Sequence, residues 1–200
     1  MVENKELNAF FFRDASEVAP EMIGWNFFVN GVGGTIVETE AYNRLDPASH
    51  SFTGPSKRNR SMFGPPGCAY VYPIYGLHWC MNFVCSDASA VLLRAIVPIK
   101  GIEQMQERRR IKQLTALCSG PAKLTQALGI SAALDGVPLS AAPFEFEPRQ
   151  QVPLISCGAR IGISRAVDVE WRFWMSDNAC VSRSSARRGN GSKSGQHVSR

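Results

Sequence analysis

At 200 residues, 44% of them apolar, the chain is long enough for one substantial domain. The formal charge of +5 does not describe its body: Arg183, Arg187, Arg188, Lys193 and Arg200 all follow the last acid, Asp177, and without them the remainder is formally neutral. That excludes a case for nucleic-acid binding from net charge, and the lack of a long apolar run or of a basic leader before the acids of Met1 to Phe12 leaves no expectation of a membrane span or secretory signal.

In chain order, Asp14 to Ile23 reads as a short helix with Asp14 or Ser16 as N-cap. Trp25 to Val29 reads as a strand that turns at Asn30-Gly31 and Gly33-Gly34 into a second one, a hairpin. The second strand carries Ile36-Val37-Glu38-Thr39-Glu40-Ala41-Tyr42, and the period of two puts Glu38, Glu40 and Tyr42 on one face. A carboxylate beside an aromatic ring suits proton handling on a flat, electron-rich group such as a nucleobase. The same pattern also fits a strand with a solvated outer face.

Asp46 to Gly67 is punctuated by prolines and glycines and reads as a long loop carrying the basic cluster Lys57-Arg58-Asn59-Arg60. Ala69 to Gly76 and Leu77 to Cys85 form a second expected hairpin, with Tyr75 near its tip and His78, Cys80, Asn82 and Val84 on one face. Ala90 to Val97 is a further strand in which Arg94 shares a face with Leu92 and Ile96, so the guanidinium needs a carboxylate or phosphate partner. Ile102 to Leu117 reads as one helix, with Arg108-Arg109-Arg110 and Lys112 on a solvated face. Ser119-Gly120-Pro121-Ala122-Lys123 opens another that runs through Leu128; its free N–H groups beside Lys123 could receive a phosphate or simply be capped. Ala159 to Ser164 and Glu170 to Trp174 supply strand material, and the Ser/Gly/Arg-rich stretch 184–200 has nothing to bury and is expected to be a mobile basic tail.

The six cysteines stand singly among apolar neighbours, without the paired spacing of a zinc site. His78 and Cys80 could share a strand face, but two ligands do not make a metal site. Reduced thiols and a cytoplasmic location are expected.

Taken together, Val37-Glu38-Thr39-Glu40-Ala41-Tyr42, Asp46-Pro47-Ala48-Ser49-His50, Arg58-Asn59, Met62-Phe63-Gly64-Pro65-Pro66-Gly67, Tyr70-Val71-Tyr72 with Tyr75-Gly76, Leu92-Leu93-Arg94-Ala95, Ser119-Gly120-Pro121 with Lys123-Leu124, and Arg160-Ile161-Gly162-Ile163 resemble the alkyladenine (3-methyladenine) DNA glycosylase family. The motifs occur in the family's order from about Ala19 to Arg183. The resemblance implies a single mixed α+β domain, 1–183, around a curved, largely antiparallel sheet with a DNA-inserting hairpin, followed by the tail 184–200. It implies a monofunctional, cofactor-free DNA glycosylase that acts as a monomer on double-stranded DNA with damaged purines.

By resemblance, Glu40 activates the attacking water, and Arg94 and the main-chain carbonyl of Ile161 help to position it. Tyr42, His50 and Tyr72 line the base pocket, Asn82 and Leu92 shape its floor, and Tyr75 fills the gap in the duplex; Arg58 of the basic loop and Lys123 at its helix start are the candidates, from their charge and position, for contact with the DNA backbone. Three departures touch supporting geometry: the turn between Tyr42 and His50 is one residue shorter than the family pattern, Ala122 stands where glycine is common, and Ala159 where proline often precedes Arg160.

Two other functions fit parts of the sequence. A noncatalytic nucleic-acid module could use the same aromatics as stacking platforms, but a carboxylate such as Glu40 in its groove would repel phosphate. A metal-dependent hydrolase lacks a convergent ligand set, since one of the three histidines is His197 in the tail.

Overall fold

The computed structural model describes residues 4–182. Eight strands form one curled sheet in which every pairing is antiparallel: β1 (Asn26–Val29), β2 (Val32–Tyr42), β3 (Ala69–Ile74), β4 (His78–Val84), β5 (Ala90–Lys100), β6 (Phe144–Glu147), β7 (Ile155–Gly158) and β8 (Arg172–Met175). The order is β3-β4-β5-β2-β1-β6, and β8 joins the far half of β2 with β7 outside it. With α1 (Asn4–Phe11), α2 (Ala15–Glu21), α3 (Ile102–Arg109), α4 (Leu114–Leu117) and α5 (Pro121–Leu128), this is a mixed α+β domain.

Both hairpins follow from local backbone chemistry. Asn30 and Gly31, at φ 50° and 72°, make a two-residue turn whose left-handed geometry matches the twist of β1 and β2. Gly33 and Gly34 lie inside β2 instead of in the turn, because a Cβ at either would strike the Phe27 or Val97 carbonyl of a neighbouring strand. At the β3–β4 tip, Tyr75 and Gly76 take φ 49° and 72°. Asp14 caps α2 by accepting from the Ser16 N–H at 2.8 Å, as the sequence suggests.

The core lies between the sheet's inner face and the helices. Phe11, Phe27, Phe83 and Phe146 interlock there, with Phe27 and Phe83 edge-to-face at 5.2 Å. α2 is tied to β2 through Thr39 Oγ1, which donates to the Ala19 carbonyl. Thr39 therefore faces the helix while Glu38 and Glu40 face the other way.

Three expectations need correction. The single helix over Ile102–Leu117 breaks at Arg110, which takes the left-handed conformation at φ 55°, and gives α3 and α4. Its basic cluster is largely solvated, with Arg108, Arg110 and Lys112 exposed, while Arg108 also donates to the Ala127 carbonyl and Arg109 to the Leu117 carbonyl and Gln126, bracing α3 against its neighbours. Ala159 to Ser164 is loop; the strand before it is β7. Finally, Arg94 shares its face with Leu92 but not with Ile96, which lies in the core. The cause is a pair of opposed bulges: Ile36 pairs with Ile96, Glu38 with Ala95 and Thr39 with Leu93, leaving Val37 and then Arg94 as extra residues. The tail, 184–200, lies outside the described residues.

Candidate active site

The bulges lie where β2 is flanked by β5 on one edge and β8 on the other, and they aim Arg94 at two carboxylates. Glu38 and Glu40 are both fully buried, so the face they share is not a solvated one. Glu40 Oε1 accepts the main-chain N–H of Ile161 at 2.7 Å and lies 3.1 Å from Arg94 Nη1. Its Oε2 accepts the Tyr42 hydroxyl at 2.8 Å. Ile161 thus meets Glu40 through its N–H, a group distinct from the carbonyl that the resemblance assigns to the water.

Arg94 has little freedom. Its Nε donates to Glu38 Oε1 at 2.8 Å and its Nη2 to Ser182 Oγ at 3.1 Å, so Nη1 remains for Glu40. Glu38 in turn accepts from Arg172 Nε at 2.7 Å, from the Ser182 N–H at 2.7 Å and from Ser182 Oγ at 2.8 Å. Burial opposes the charge on Glu38, but Arg94, the Ser182 N–H and Arg172 outweigh it and hold the carboxyl below its ordinary value of 4.5. For Arg94, burial works against the cation and the facing Glu40 and Glu38 more than restore it.

In front of this network is a cleft of about 760 Å3. Tyr42, Arg94 and Ile161, the three partners of Glu40, are on its wall, and Glu40 lies directly behind them. Tyr72, His50, Asn82 and Leu92 complete the enclosure. Burial raises the hydroxyl pKa of both Tyr42 and Tyr72, Glu40 adding to the effect at Tyr42 and Cys80 at Tyr72, so both rings stay neutral near pH 7.

His50 stands at the cleft's open side, its ring edge-on to Tyr72 at 4.6 Å and its Nδ1 2.8 Å from the Tyr70 hydroxyl. Packing around the ring, and then the charge of Arg58, push His50 below its ordinary 6.5, so it is neutral at pH 7. Asn59 fixes the loop beneath it: Nδ2 donates to the carbonyls of His50 and Gly54, and Oδ1 accepts from the Ser56 N–H. The shorter turn between Tyr42 and His50 therefore still delivers the imidazole to the cleft. Asn82 is buried on the cleft wall and its Nδ2 donates to the Tyr70 carbonyl at 3.1 Å, which also ties β4 to β3.

At the mouth of the cleft, Tyr75 is 92% exposed on the hairpin tip and Leu77 beside it is also exposed. Arg58 is exposed on the cleft rim, its Nη2 3.5 Å from the Pro73 carbonyl. Lys123 is exposed in the first turn of α5, whose Pro121 and Ala122 touch the cleft; no side chain among the described residues caps that helix. No group of three or more histidine, cysteine or acidic side chains converges to hold a metal among the described residues, and no helix there is long and apolar enough to cross a membrane.

Several participants were not assigned roles by sequence reasoning. Tyr70, two residues before Tyr72, carries a recognisable strand spacing, and Asp46 and Arg160 stand within the motifs Asp46-Pro47-Ala48-Ser49-His50 and Arg160-Ile161-Gly162-Ile163. Arg172 and Ser182 carry no local signal, because their meeting with Glu38 spans more than 130 residues.

The profile of the methylpurine-DNA glycosylase family matches residues 9–179. A protein of Agrobacterium fabrum is 55% identical over 175 residues, 88% of this chain and 91% of its own. One of Rhodopseudomonas palustris is 52% identical, covering 87% and 86%, and one of Rhizobium meliloti 53% identical, covering 87% and 94%. All three carry the name "Putative 3-methyladenine DNA glycosylase". With a match across nearly the whole described domain, the chain belongs to the methylpurine-DNA glycosylase family of DNA repair enzymes.

Proposed function

We propose that the protein is a monofunctional DNA glycosylase that flips alkylated or deaminated purines, among them 3-methyladenine, 7-methylguanine, hypoxanthine and ethenoadenine, out of double-stranded DNA and hydrolyses their N-glycosidic bonds, initiating base excision repair. The observation that carries this reading is a single carboxylate, Glu40, held by Arg94, Ile161 and Tyr42 immediately behind an aromatic-walled cleft. A carboxylate offers roughly four lone-pair directions, and three partners leave one for a water.

In the proposed reaction that water attacks C1′ of the flipped nucleotide. The C1′–N bond breaks, its electron pair leaves with the base, and Glu40 accepts the water's proton. Arg94 offsets the charge of the carboxylate and, with the Ile161 main chain, orients the water. Tyr42 and Tyr72 offer electron-rich faces to a base that alkylation has made positive, which suits a good leaving group better than a strong acid would. His50 is neutral, and if the Tyr70 hydroxyl donates to its Nδ1, the proton sits on Nε2 and can be donated to a neutral lesion such as hypoxanthine.

Flipping is cheapest for damaged or mispaired bases. Tyr75, nearly fully exposed on its tip, suits the role of filling the vacated stack, and Arg58 and Lys123 that of contacting the phosphates. Asn82, on the floor with Leu92, would crowd guanine's exocyclic amine, a cost that the positively charged leaving base of 7-methylguanine offsets and undamaged guanine does not.

The test is a duplex with one hypoxanthine or ethenoadenine, incubated with the protein and a chelator and then treated with alkali. Strand breaks at the lesion support the glycosylase. Tight lesion binding with no breaks would favour the noncatalytic module, and breaks lost to the chelator a metal-dependent hydrolase.

A further inference from the structure

We infer that Arg160 and Asp46, an ion pair behind the Tyr42 ring, set how far the cleft favours positively charged bases over neutral ones. The inference rests on the base-excision reading above and names a specificity determinant within it. The Arg160 guanidinium lies over the Tyr42 ring, 4.6 Å from its centroid, and 5.5 Å from that of Trp171. Its side chain is wholly inaccessible, whereas Tyr42 lines the cleft. One side of the ring therefore meets a fixed cation, and the cleft side remains for a base.

The guanidinium is anchored by Nη1 to the Ala41 carbonyl at 2.9 Å and to Asp46 Oδ2, and by Nη2 to Asp46 Oδ1 at 3.1 Å. Its Nε has no acceptor among the described residues. A planar cation buried with an unpaired N–H, yet laid against two aromatic rings, is situated to act through those rings and through its charge.

The ring's negative quadrupole attracts a cation on either face. A base stacked on the cleft side would lie about 8 Å from the guanidinium, a separation at which a partly buried charge is still felt. Arg160 alone would repel a cationic purine and weaken Tyr42's hold on it; Asp46 alone would attract one. Balanced against each other, the two charges leave the ring usable by both classes. For a cationic and a neutral lesion the net charge differs by one through the reaction, unless the neutral base gains a proton, so the balance reaches kcat/KM and not affinity alone.

The experiment compares excision of 7-methylguanine, cationic, and hypoxanthine, neutral, from the same duplex position by wild type, Arg160→Gln, Asp46→Asn and the double variant. Arg160→Gln is expected to raise the 7-methylguanine to hypoxanthine ratio of kcat/KM by about fivefold, Asp46→Asn to lower it by a similar factor, and the double variant to return it near the wild-type value. A ratio unchanged in both single variants, or moved the same way by both, overturns the inference and marks the pair as scaffold, since loss of structure depresses both lesions together. Equilibrium binding to duplexes carrying a fixed cationic or a neutral purine analogue reads the same ratio without turnover, for a variant too slow to assay. Wild-type protein that excises neither lesion would instead refute the glycosylase reading, a separate outcome.

Discussion

Glu38 and Glu40 are two steps apart on one strand and share Arg94, yet their surroundings differ in kind. Glu38 is saturated by two arginines and Ser182, of which only Arg94 lines the cleft, while the three partners of Glu40, Tyr42, Arg94 and Ile161, all line it. Removing the charge at Glu38 leaves buried arginines short of a partner, so Glu38→Gln should cost about 3 kcal/mol of stability in urea unfolding. Because its folded pKa lies below the ordinary 4.5, the stability it contributes is present above that value and lost as pH falls through the folded pKa. Wild type should therefore lose more stability than Glu38→Gln as the pH falls below the ordinary 4.5; parallel losses would mean that Glu38 is not the group responsible. At Asn82, Asn82→Ser should raise release of undamaged guanine while largely keeping activity on adenine lesions. If the tie to Tyr70 is its whole role, the variant will melt earlier with base preference unchanged.

At the scale of elements, alternation along β2 and β4 was legible because β-branched and aromatic residues mark those strands: the shared face of Glu38, Glu40 and Tyr42, and that of Cys80 and Asn82, both follow from a period of two. The change of parity between Arg94 and Ile96 was not, since a bulge depends on which strand lies opposite and leaves no mark in its own residues. The break at Arg110 was hidden likewise, an arginine in a left-handed conformation where glycine would have announced it. β6 escaped notice because Phe144-Glu145-Phe146-Glu147 is short and follows no turn signal as clear as Asn30-Gly31. The β3–β4 hairpin was legible, and it yields a prediction: Tyr75→Ala should slow excision of a well-paired lesion in duplex DNA by about tenfold and of the same lesion in single-stranded DNA far less. Equal losses on both substrates would remove Tyr75 from the wedge role.

Over the whole molecule, a mixed α+β domain around a curled antiparallel sheet could be expected from the run of motifs, but the closure of its C-terminal end could not. Ser182 meets Glu38 and Arg94 across the sheet, and Arg172 holds its carbonyl, so the end of the described domain is locked to the network beside Glu40. Deletion of 184–200 removes four positive charges and should reduce the salt dependence of nonspecific DNA binding while leaving single-turnover excision unchanged. Deletion from Val181 onward also removes Ser182 and should lower both thermal stability and excision; equal behaviour of the two truncations would show that the Ser182 contacts carry no weight. Whether Glu40 drives the chemistry is tested most directly by single-turnover excision of hypoxanthine by Glu40→Gln alongside its affinity for the same duplex. Excision should fall by at least about a hundredfold with affinity within a few-fold of wild type, because the base is lost and the shape kept; a near wild-type rate would contradict it.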